Sequence, residues 1–259
     1  MLSIEKKGGV ARVTLDRPEV RNAFDDALIA SLKKSFAGIE KDQSVRVVVL
    51  AGNGPAFCAG ADLNWMKRMA GYTREETLAD AAALANMLRV LYRCPKPTIA
   101  RVQGDVYAGG TGLVAVCDIA VSADTAQYCL SEVKLGLIPA TISPYVIRAM
   151  GERAAHRYFL TAERFSAAEA LRIGFVHEVV QAGQLDARVA ELSQALVQAG
   201  PAAVKACKEL VQDVGGRNIT QLLIDRTVQN IADIRVSDEG REGIQSFLGK
   251  RKPAWLARE

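Results

Sequence analysis

The stretch from Gly104 to Pro139 constrains the fold and the chemistry of this chain more than any other part. The apolar segment 98–102 precedes it and predicts a strand that delivers the chain to a glycine turn. Three further glycines then open an apolar run: Gly109, Gly110 and Gly112. Glycine has no Cβ, so the backbone here can approach a ligand closely. A helix beginning near Gly109 would present free amides and a dipole that favour negative charge.

One carboxylate follows within the same stretch. Ser131, Glu132 and Val133 place it in otherwise apolar surroundings. A pocket of backbone donors for an oxyanion, together with one acid/base carboxylate, is a minimal set for enolate chemistry. A glycine pair before an apolar helix also forms where a helix merely packs closely on a strand. On this stretch alone, the catalytic and the structural interpretations both stay open.

Composition limits the classes of protein that this chain can belong to. Its 259 residues can bury a sizeable core, as one large domain or as one domain with an appendage. Hydrophobic residues make up 49% and charged residues 24%, which is typical of a globular protein outside the membrane. The net charge of +4 comes from dispersed residues. We therefore do not expect a nucleic-acid partner, whereas an anionic small ligand would fit.

Cysteine usage and the termini indicate a cytoplasmic location. The five cysteines are odd in number and show no CxxC spacing, so we expect reduced thiols, no disulfide and no metal site. The N-terminus has no apolar signal segment, and no apolar run is long enough to span a bilayer. Neither His156 nor His177 has a nearby serine or cysteine that would form a nucleophile pair.

Hydrophobic periodicity predicts a mixed α/β chain as far as about residue 200, and helices alone after it. The predicted strands cover 3–7, 10–16, 45–50, 98–102 and 175–180. The predicted helices cover 25–41, 77–93, 143–150, 152–160, 167–173, 185–198, 201–213, 219–232 and 237–248. The only candidate domain boundary is near residue 200, where mixed strands and helices give way to helices alone. We find no internal repeat.

A second glycine-rich loop lies at 51–62, directly after an apolar strand. This is the usual position of a ligand loop in an α/β protein, and it lacks the pattern of a nucleotide P-loop. Trp65, Met66 and Met69 follow as an apolar patch. The patch predicts either the end of a core helix or the wall of a pocket.

Three motifs together resemble the enoyl-CoA hydratase/isomerase, or crotonase, superfamily: FCAGADL (57–63), GDVYAGGTGLVAVCDI (104–119) and SEVKLGLIP (131–139). The likeness runs from DRPEVRNAF (16–24) to FLGKRKPAW (247–255), so it covers essentially the whole chain. It implies an α/β fold: a crotonase-like ββα spiral core with the CoA-thioester site over residues 1–200. Residues 201–259 would form a C-terminal helical segment that makes a homotrimer, often as a dimer of trimers.

The resemblance also implies the chemistry. The backbone amides of Ala61 and Gly109 would polarise a CoA thioester carbonyl and stabilise an enolate, with Glu132 as the principal acid/base. The alternative for Glu132 is a surface ion pair with Lys134. No cofactor is expected, because coenzyme A is part of the substrate.

The implied substrate-binding residues carry different parts of the acyl-CoA. Arg21, together with Lys250 of a neighbouring subunit, would bind CoA phosphates. Arg68 would pair with a second carboxylate on the acyl group, with Lys67 and Arg148 as alternatives. The remaining positions are Ala23, Ala59, Asp62, Leu63, Trp65, Gly110, Gly112 and Pro139.

The chain departs from the family pattern at Gly112, where hydratases usually carry a first glutamate. Single-glutamate relatives include Δ3-Δ2-enoyl-CoA isomerases. Dehalogenase relatives need an aspartate at the position of Ala140, so that activity is not expected. The segments at 62–70, 95–104, 131–147 and 151–165 resemble bacterial methylglutaconyl-CoA hydratases most closely, and also isohexenylglutaconyl-CoA hydratases. Those bacterial enzymes tend to have glycine at the same position.

Three classes of function therefore stay open. The leading hypothesis is hydration of a branched glutaconyl-CoA, followed by isomerisation of an acyl-CoA. The third is a non-catalytic member that binds RNA or a partner surface. Asp105 is a further acidic residue in the central stretch, and we expect it to accept hydrogen bonds from turn amides rather than to act in catalysis.

Overall fold

A computed structural model describes residues 1–256, and in that range the chain forms ten strands and ten helices. The strands are β1 Leu2–Lys7, β2 Val10–Leu15, β3 Val47–Gly52, β4 Ala56–Cys58, β5 Thr98–Val102, β6 Asp105–Tyr107, β7 Ile119–Ala123, β8 Gln127–Cys129, β9 Phe165–Ser166 and β10 Glu178–Val180. The helices are α1 Asp26–Lys41, α2 Leu63–Met69, α3 Arg74–Tyr92, α4 Gly109–Ala115, α5 Ser143–Thr161, α6 Ala167–Arg172, α7 Leu185–Gln198, α8 Pro201–Val214, α9 Gln221–Val236 and α10 Asp238–Leu248.

From β3 to β8, successive strands alternate between two sheets. The larger sheet has the order β1-β2-β3-β5-β7-β10, and the smaller has the order β4-β6-β8-β9. Each strand pair β3–β4, β5–β6 and β7–β8 places its first strand in the larger sheet and its second in the smaller, before the chain turns into helix. This repeated ββα unit confirms the predicted crotonase-like α/β spiral.

The core lies on both faces of the larger sheet. All six residues of β3 are buried, as expected for a strand covered on both sides. The main cluster fills the space between the two sheets and helices α1, α3, α4 and α5. A second cluster lies under α7, where Leu185 and Val189 pack on Val47 and Ile99. The apolar, β-branched strands of the sequence are therefore the innermost layer of the molecule.

Most predicted elements are confirmed, and the differences have local causes. The smaller sheet was missed because β4, β6 and β8 have only three residues each, too few to show a periodicity. The helices predicted at 143–150 and 152–160 are both confirmed: they meet at a kink at the non-helical Gly151, φ 77°, and are together named α5 here. The strand predicted at 175–180 begins only at Glu178. No helix within residues 1–256 is long and apolar enough to cross a membrane.

An ion pair joins α8 to the larger sheet. Lys208 Nζ lies 2.7 Å from Asp118 Oδ2, and the lysine side chain is 7% exposed. The same carboxylate oxygen accepts the backbone N–H and the hydroxyl of Thr98, at 2.8 and 2.9 Å. Because Thr98 begins β5 and Asp118 precedes β7, this contact connects the C-terminal helices to the centre of the sheet.

We expect Lys208→Met to lower the free energy of unfolding by about 2 kcal/mol, since it removes a charge-assisted hydrogen bond from a half-buried carboxylate. Lys205→Met is the matched control on the same helix. Lys205 makes only an exposed ion pair with Glu209 at 3.8 Å, so its loss is expected to stay within about 0.5 kcal/mol. Urea unfolding measures both. Equal losses would show that the Lys208 pair does not join α8 to the sheet.

Candidate active site

Three loops meet at one edge of the smaller sheet. β4 pairs in parallel with β6, and β6 pairs in parallel with β8. The segments 59–61, 108–109 and 130–132 therefore leave neighbouring strands at their carboxyl ends, the usual place for a ligand in an α/β sheet. Just beyond the last strand pair, Ala108 N–H donates to the carbonyl of Cys129 at 2.8 Å. The topology thus brings together the three motifs on which the family resemblance depends.

Glycine is required where the first two loops touch. A Cβ on Gly60, at φ +87°, would lie 3.0 Å from Ala108 Cβ and 3.2 Å from the carbonyl oxygen of Tyr107. A Cβ on Gly110 would lie 2.6 Å from the carbonyl oxygen of Cys58. Gly110, predicted to bind substrate, therefore also lets α4 pack directly against β4.

The backbone amide of Ala61 is free to meet a ligand. Phe24 N–H donates to the carbonyl of Gly60 at 2.6 Å, and Asp62 N–H donates to the carbonyl of Phe24 at 2.7 Å. In this parallel bridge Ala61 lies between the two hydrogen bonds, so its own N–H points away from Phe24. No acceptor for it occurs among the described residues.

The amide of Gly109 is free for a different reason. Gly109 is the first residue of α4, where a helix has no internal acceptor for its N–H. Ala108 before it has φ 46° and ψ −120°, a strained conformation for a residue with a Cβ. This conformation sets the orientation of the Ala108–Gly109 peptide.

Phe24 supports both amides, a role that the sequence analysis did not assign. Its backbone forms the bridge to Ala61, and a Cβ on Gly109 would lie 2.8 Å from its ring Cε2. Phe24 is itself buried, with 1% of its surface exposed. It stands within the DRPEVRNAF motif, which was the available signal.

Arg17 holds the chain around Phe24 and was also missed. Its guanidinium donates to the carbonyl of Ala23 and to the carboxylates of Asp25 and Asp62, at 3.0, 2.8 and 3.0 Å. Asp62 also accepts the N–H of Asn64 at 2.8 Å and so caps α2. Burial alone would raise the pKa of Asp62, but the backbone amides and Arg17 hold that pKa below its usual value. Asp62 and Ala23 thus fix the shape of the loops.

Glu132 carries the one buried, unpaired carboxylate oxygen of this edge in the described chain. It begins a 3₁₀ turn after β8, and its Oε2 is buried without a hydrogen-bond partner among the described residues. Burial raises the pKa of its carboxyl, opposed only by a hydrogen bond with its own backbone. The surface ion pair with Lys134 does not occur among the described residues. A partly buried carboxyl with a raised pKa and a free oxygen is suited to exchange protons with a ligand.

The position of the missing glutamate is closed by packing. A Cβ on Gly112 would lie 2.3 Å from Ile142 Cγ2 and 3.6 Å from Leu88 Cδ2. Gly112 and Ile142 are both buried. Gly112 therefore contributes contact between α4 and α5 rather than an open space beside Glu132.

The other predicted binding residues lie at different depths. Arg21 is exposed and its carbonyl accepts the N–H of Ala59, so these two lie together beside the first loop. Pro139 is buried after the Glu132 turn, and Leu63 is 73% exposed at the start of α2. Trp65 is buried, with its ring N–H donating to Asp80 at 3.2 Å. The apolar patch at 65–69 is therefore in part a packed helix.

Two predicted cations lie outside this cluster. Arg68 pairs with Asp26 of α1 at 2.7 Å, and both side chains are largely exposed. Lys250 is exposed after α10, and within residues 1–256 no hydrogen bond or ion pair joins its side chain to the loops around Glu132. A substrate carboxylate at Arg68 would have to compete with Asp26.

The expectation for Asp105 was wrong. It does not accept hydrogen bonds from turn amides within the described chain, because it begins β6 and points its carboxylate at Arg164, 3.3 Å away. The Arg164 guanidinium also lies 5.6 Å from the centre of the Tyr107 ring. Asp105 thus belongs to a surface cluster beside the site.

Comparison with known proteins identifies the family of this chain. The family model described as Enoyl-CoA hydratase/isomerase matches residues 5–258. A Thermus thermophilus protein named "Putative enoyl-CoA hydratase" is 34% identical over 98% of this chain and 99% of its own length. The Enoyl-CoA hydratase ACTT6 of Alternaria alternata is 33% identical over 96% of this chain and 82% of its own length.

A solved structure agrees as well. The crystal structure of an enoyl-CoA hydratase from Shewanella pealeana superposes with a TM-score of 0.96 at 44% identity, covering 98% of this chain and 95% of the other. The family model, the relatives and the superposed fold each cover nearly the whole sequence. The chain belongs to the enoyl-CoA hydratase/isomerase, or crotonase, family.

Proposed function

We propose that the protein catalyses the reversible syn addition of water to a 2-enoyl-CoA thioester. One observation carries this proposal: a glutamate with a buried, unpaired carboxylate oxygen lies at the same sheet edge as two free backbone amides. The amides of Ala61 and Gly109 are suited to hold the negative charge that develops on a thioester oxygen. The raised pKa of Glu132 suits it to exchange a proton with water or with carbon.

In the proposed reaction Glu132 acts twice. As the water oxygen bonds to C3 of the substrate, the Glu132 carboxylate takes one proton from that water. The electron pair of the double bond moves toward the thioester oxygen, forming an enolate that the two amides stabilise. Glu132 then gives the proton to C2 and returns to its charged form. Because one carboxyl takes and returns the proton, both new bonds form on the same face.

We further propose a branched glutaconyl-CoA, such as 3-methylglutaconyl-CoA, as the substrate. The motifs that resemble bacterial methylglutaconyl-CoA hydratases support this, as does the glycine at position 112. A second carboxylate on the acyl group would need a cation, because an unpaired buried charge is costly. Arg68 at the end of α2 is our candidate, with Arg21 and a neighbouring copy's Lys250 for the CoA phosphates.

A homotrimer, or a dimer of trimers, is the proposed assembly, with residues 201–259 as the oligomerisation segment and 1–200 as the core. The support is a series of exposed apolar side chains on the C-terminal helices, more than a monomer needs at its surface. Their exposure runs from 48% to 82%: Val211, Leu222, Val228, Ile231, Val236, Ile244, Phe247 and Leu248.

Isomerisation is the second candidate activity, and the packing at Gly112 favours it. An isomerase needs one base that takes a proton from C2 of a 3-enoyl-CoA and returns it to C4. Glu132 carries the one carboxylate oxygen at this edge that is buried and unpaired among the described residues. Isomerase and hydratase therefore differ here in whether water has access to C3.

The proposed activity is tested with a panel of acyl-CoA substrates and identification of the products. We expect loss of the enoyl-thioester absorbance and a 3-hydroxyacyl-CoA product, fastest with 3-methylglutaconyl-CoA. Conversion of a 3-enoyl-CoA to its 2-enoyl isomer without hydration would establish the second candidate. Binding of AU-rich RNA without turnover of any acyl-CoA would replace both with a non-catalytic role.

We expect Glu132→Gln to lower turnover at least about a hundredfold while leaving the Michaelis constant nearly unchanged, because it removes only the group that moves the proton. Glu152→Gln, at an exposed glutamate of α5, is the control and should keep wild-type kinetics. Turnover of Glu132→Gln within a few-fold of wild type would remove Glu132 from this role.

The raised pKa of Glu132 predicts two effects of pH. The carboxylate is the active form, so kcat/KM should rise with pH through a midpoint above 4.5, the ordinary value for glutamate. The same group lowers the stability of the folded protein as pH rises from 4.5 through its raised pKa, since the unfolded chain loses that proton first. Glu132→Gln should therefore be more stable than wild type at neutral pH. A lower stability would contradict the unpaired burial of this carboxyl.

Arg68→Met tests the proposed dicarboxylate. Turnover of 3-methylglutaconyl-CoA should fall at least about tenfold, whereas an uncharged enoyl-CoA of similar size should be little affected, because only the first substrate loses a charge partner. Lys67→Met, one residue earlier on the same helix, is the control. Equal losses with both substrates would assign Arg68 to the surface pair with Asp26 alone.

A further inference from the structure

We propose that Ile142 makes this a single-carboxylate active site, because it occupies the space that a second acid/base carboxylate at position 112 would need. The packing of Ile142 against Gly112 is observed in the structure. Its consequence for catalysis rests on the proposed reaction. It identifies Ile142, thirty positions after Gly112 in the chain, as a determinant of how many groups can handle the proton.

The contact leaves no room for adjustment. A Cβ on Gly112 would approach Ile142 Cγ2 to 2.3 Å and Ile142 Cβ to 2.9 Å, distances at which one of the two must move. Ile142 is 2% exposed, and a β-branched side chain has few rotamers to choose from. Leu88 of α3 closes the next side, 3.6 Å from the same Cβ position.

The backbone of Ile142 is also fixed. It is the N-cap residue of α5, and its carbonyl accepts the N–H of both Tyr145 and Val146 at 3.1 Å. Moving Ile142 away would unwind the first turn of that helix. The structure thus excludes a longer side chain at residue 112 as long as isoleucine stays at 142.

The position of Gly112 ties this packing to the chemistry. Gly112 lies on the first turn of α4, the helix that begins with the free amide of Gly109. Ile142 follows the Glu132 turn in the chain, and that turn packs against α5. The contact between Gly112 and Ile142 therefore joins α4, which carries the Gly109 amide, to the start of α5, which packs against the Glu132 turn.

A different explanation is that Gly112 only lets α4 and α5 pack closely. Both explanations predict that a side chain at residue 112 destabilises the protein. They differ in whether a carboxylate there changes the pH dependence of the enzyme. If the space belongs to the site, a carboxylate introduced there should interact with Glu132 and change the pH dependence of the enzyme. If it serves packing alone, refilling it with a carboxylate or with an amide should have the same effect.

The test uses Gly112→Glu, Ile142→Ala and the double variant. We expect Gly112→Glu alone to lower Tm by roughly 5 °C or more, or to prevent folding, because the new side chain overfills the core. Adding Ile142→Ala should restore most of that loss. Gly110→Glu with Ile142→Ala is the control, since its Cβ would meet the carbonyl of Cys58 at 2.6 Å. The control should not be rescued.

The second readout compares the double variant with Gly112→Gln/Ile142→Ala, which fills the same space without a charge. We expect the carboxylate, and not the amide, to add an ionisation to the pH profile of kcat/KM and to raise turnover of an unbranched 2-enoyl-CoA at least about tenfold. Identical profiles would overturn the proposal, as would wild-type stability of Gly112→Glu alone.

A failure of the proposed reaction is separate from these outcomes. If the wild-type protein turns over no enoyl-CoA, the reaction is wrong, and the pH dependence of unfolding replaces the kinetic profile. A carboxylate at 112 that changes this dependence only when Glu132 is present would still place the space within the site. No such change would overturn the role of Ile142.

Discussion

The parallel pairing of three short strands determines most of what this protein can do. β4, β6 and β8 lie side by side in one sheet, so the loops that follow them leave at the same edge. Residues 59–61, 108–109 and 130–132 are far apart in the chain and become neighbours only through this pairing. In the proposed reaction, a ligand at that edge would meet backbone amides from two loops and a carboxyl from the third.

The free amides and the carboxyl of this site are both arranged in ways that destabilise the folded protein. A free amide and a buried carboxyl without a partner each reduce stability, and Ala108 adds backbone strain. Contacts elsewhere must offset them. The Phe24 bridge and the Arg17 network supply hydrogen bonds at the first loop, and the Lys208 pair connects α8 to the sheet. The residues that stabilise the fold, such as Arg17 and Lys208, are thus different from the residues proposed to react.

The contact between Gly112 and Ile142 shows how packing can limit chemistry without a polar group. Glycine at 112 removes a potential acid/base residue, and the isoleucine prevents its return by filling the space. In either of the reactions proposed for this site, a single carboxyl would then carry the proton. The choice between adding water and moving a double bond therefore depends on access of water to the bound acyl group.

The sequence by itself determined the long apolar strands, the helices and the three motifs, because each has a local pattern: β-branched runs, helical periodicity, or glycines at fixed spacing. It also indicated Glu132, Ala61 and Gly109. Only the tertiary structure decided what depends on contacts between distant residues. The three-residue strands are too short to show a periodicity. Asp105 pairs with Arg164, and the space beside Gly112 is filled by Ile142, thirty positions later in the chain. Such contacts are set by sheet topology and side-chain volume, which no local pattern encodes.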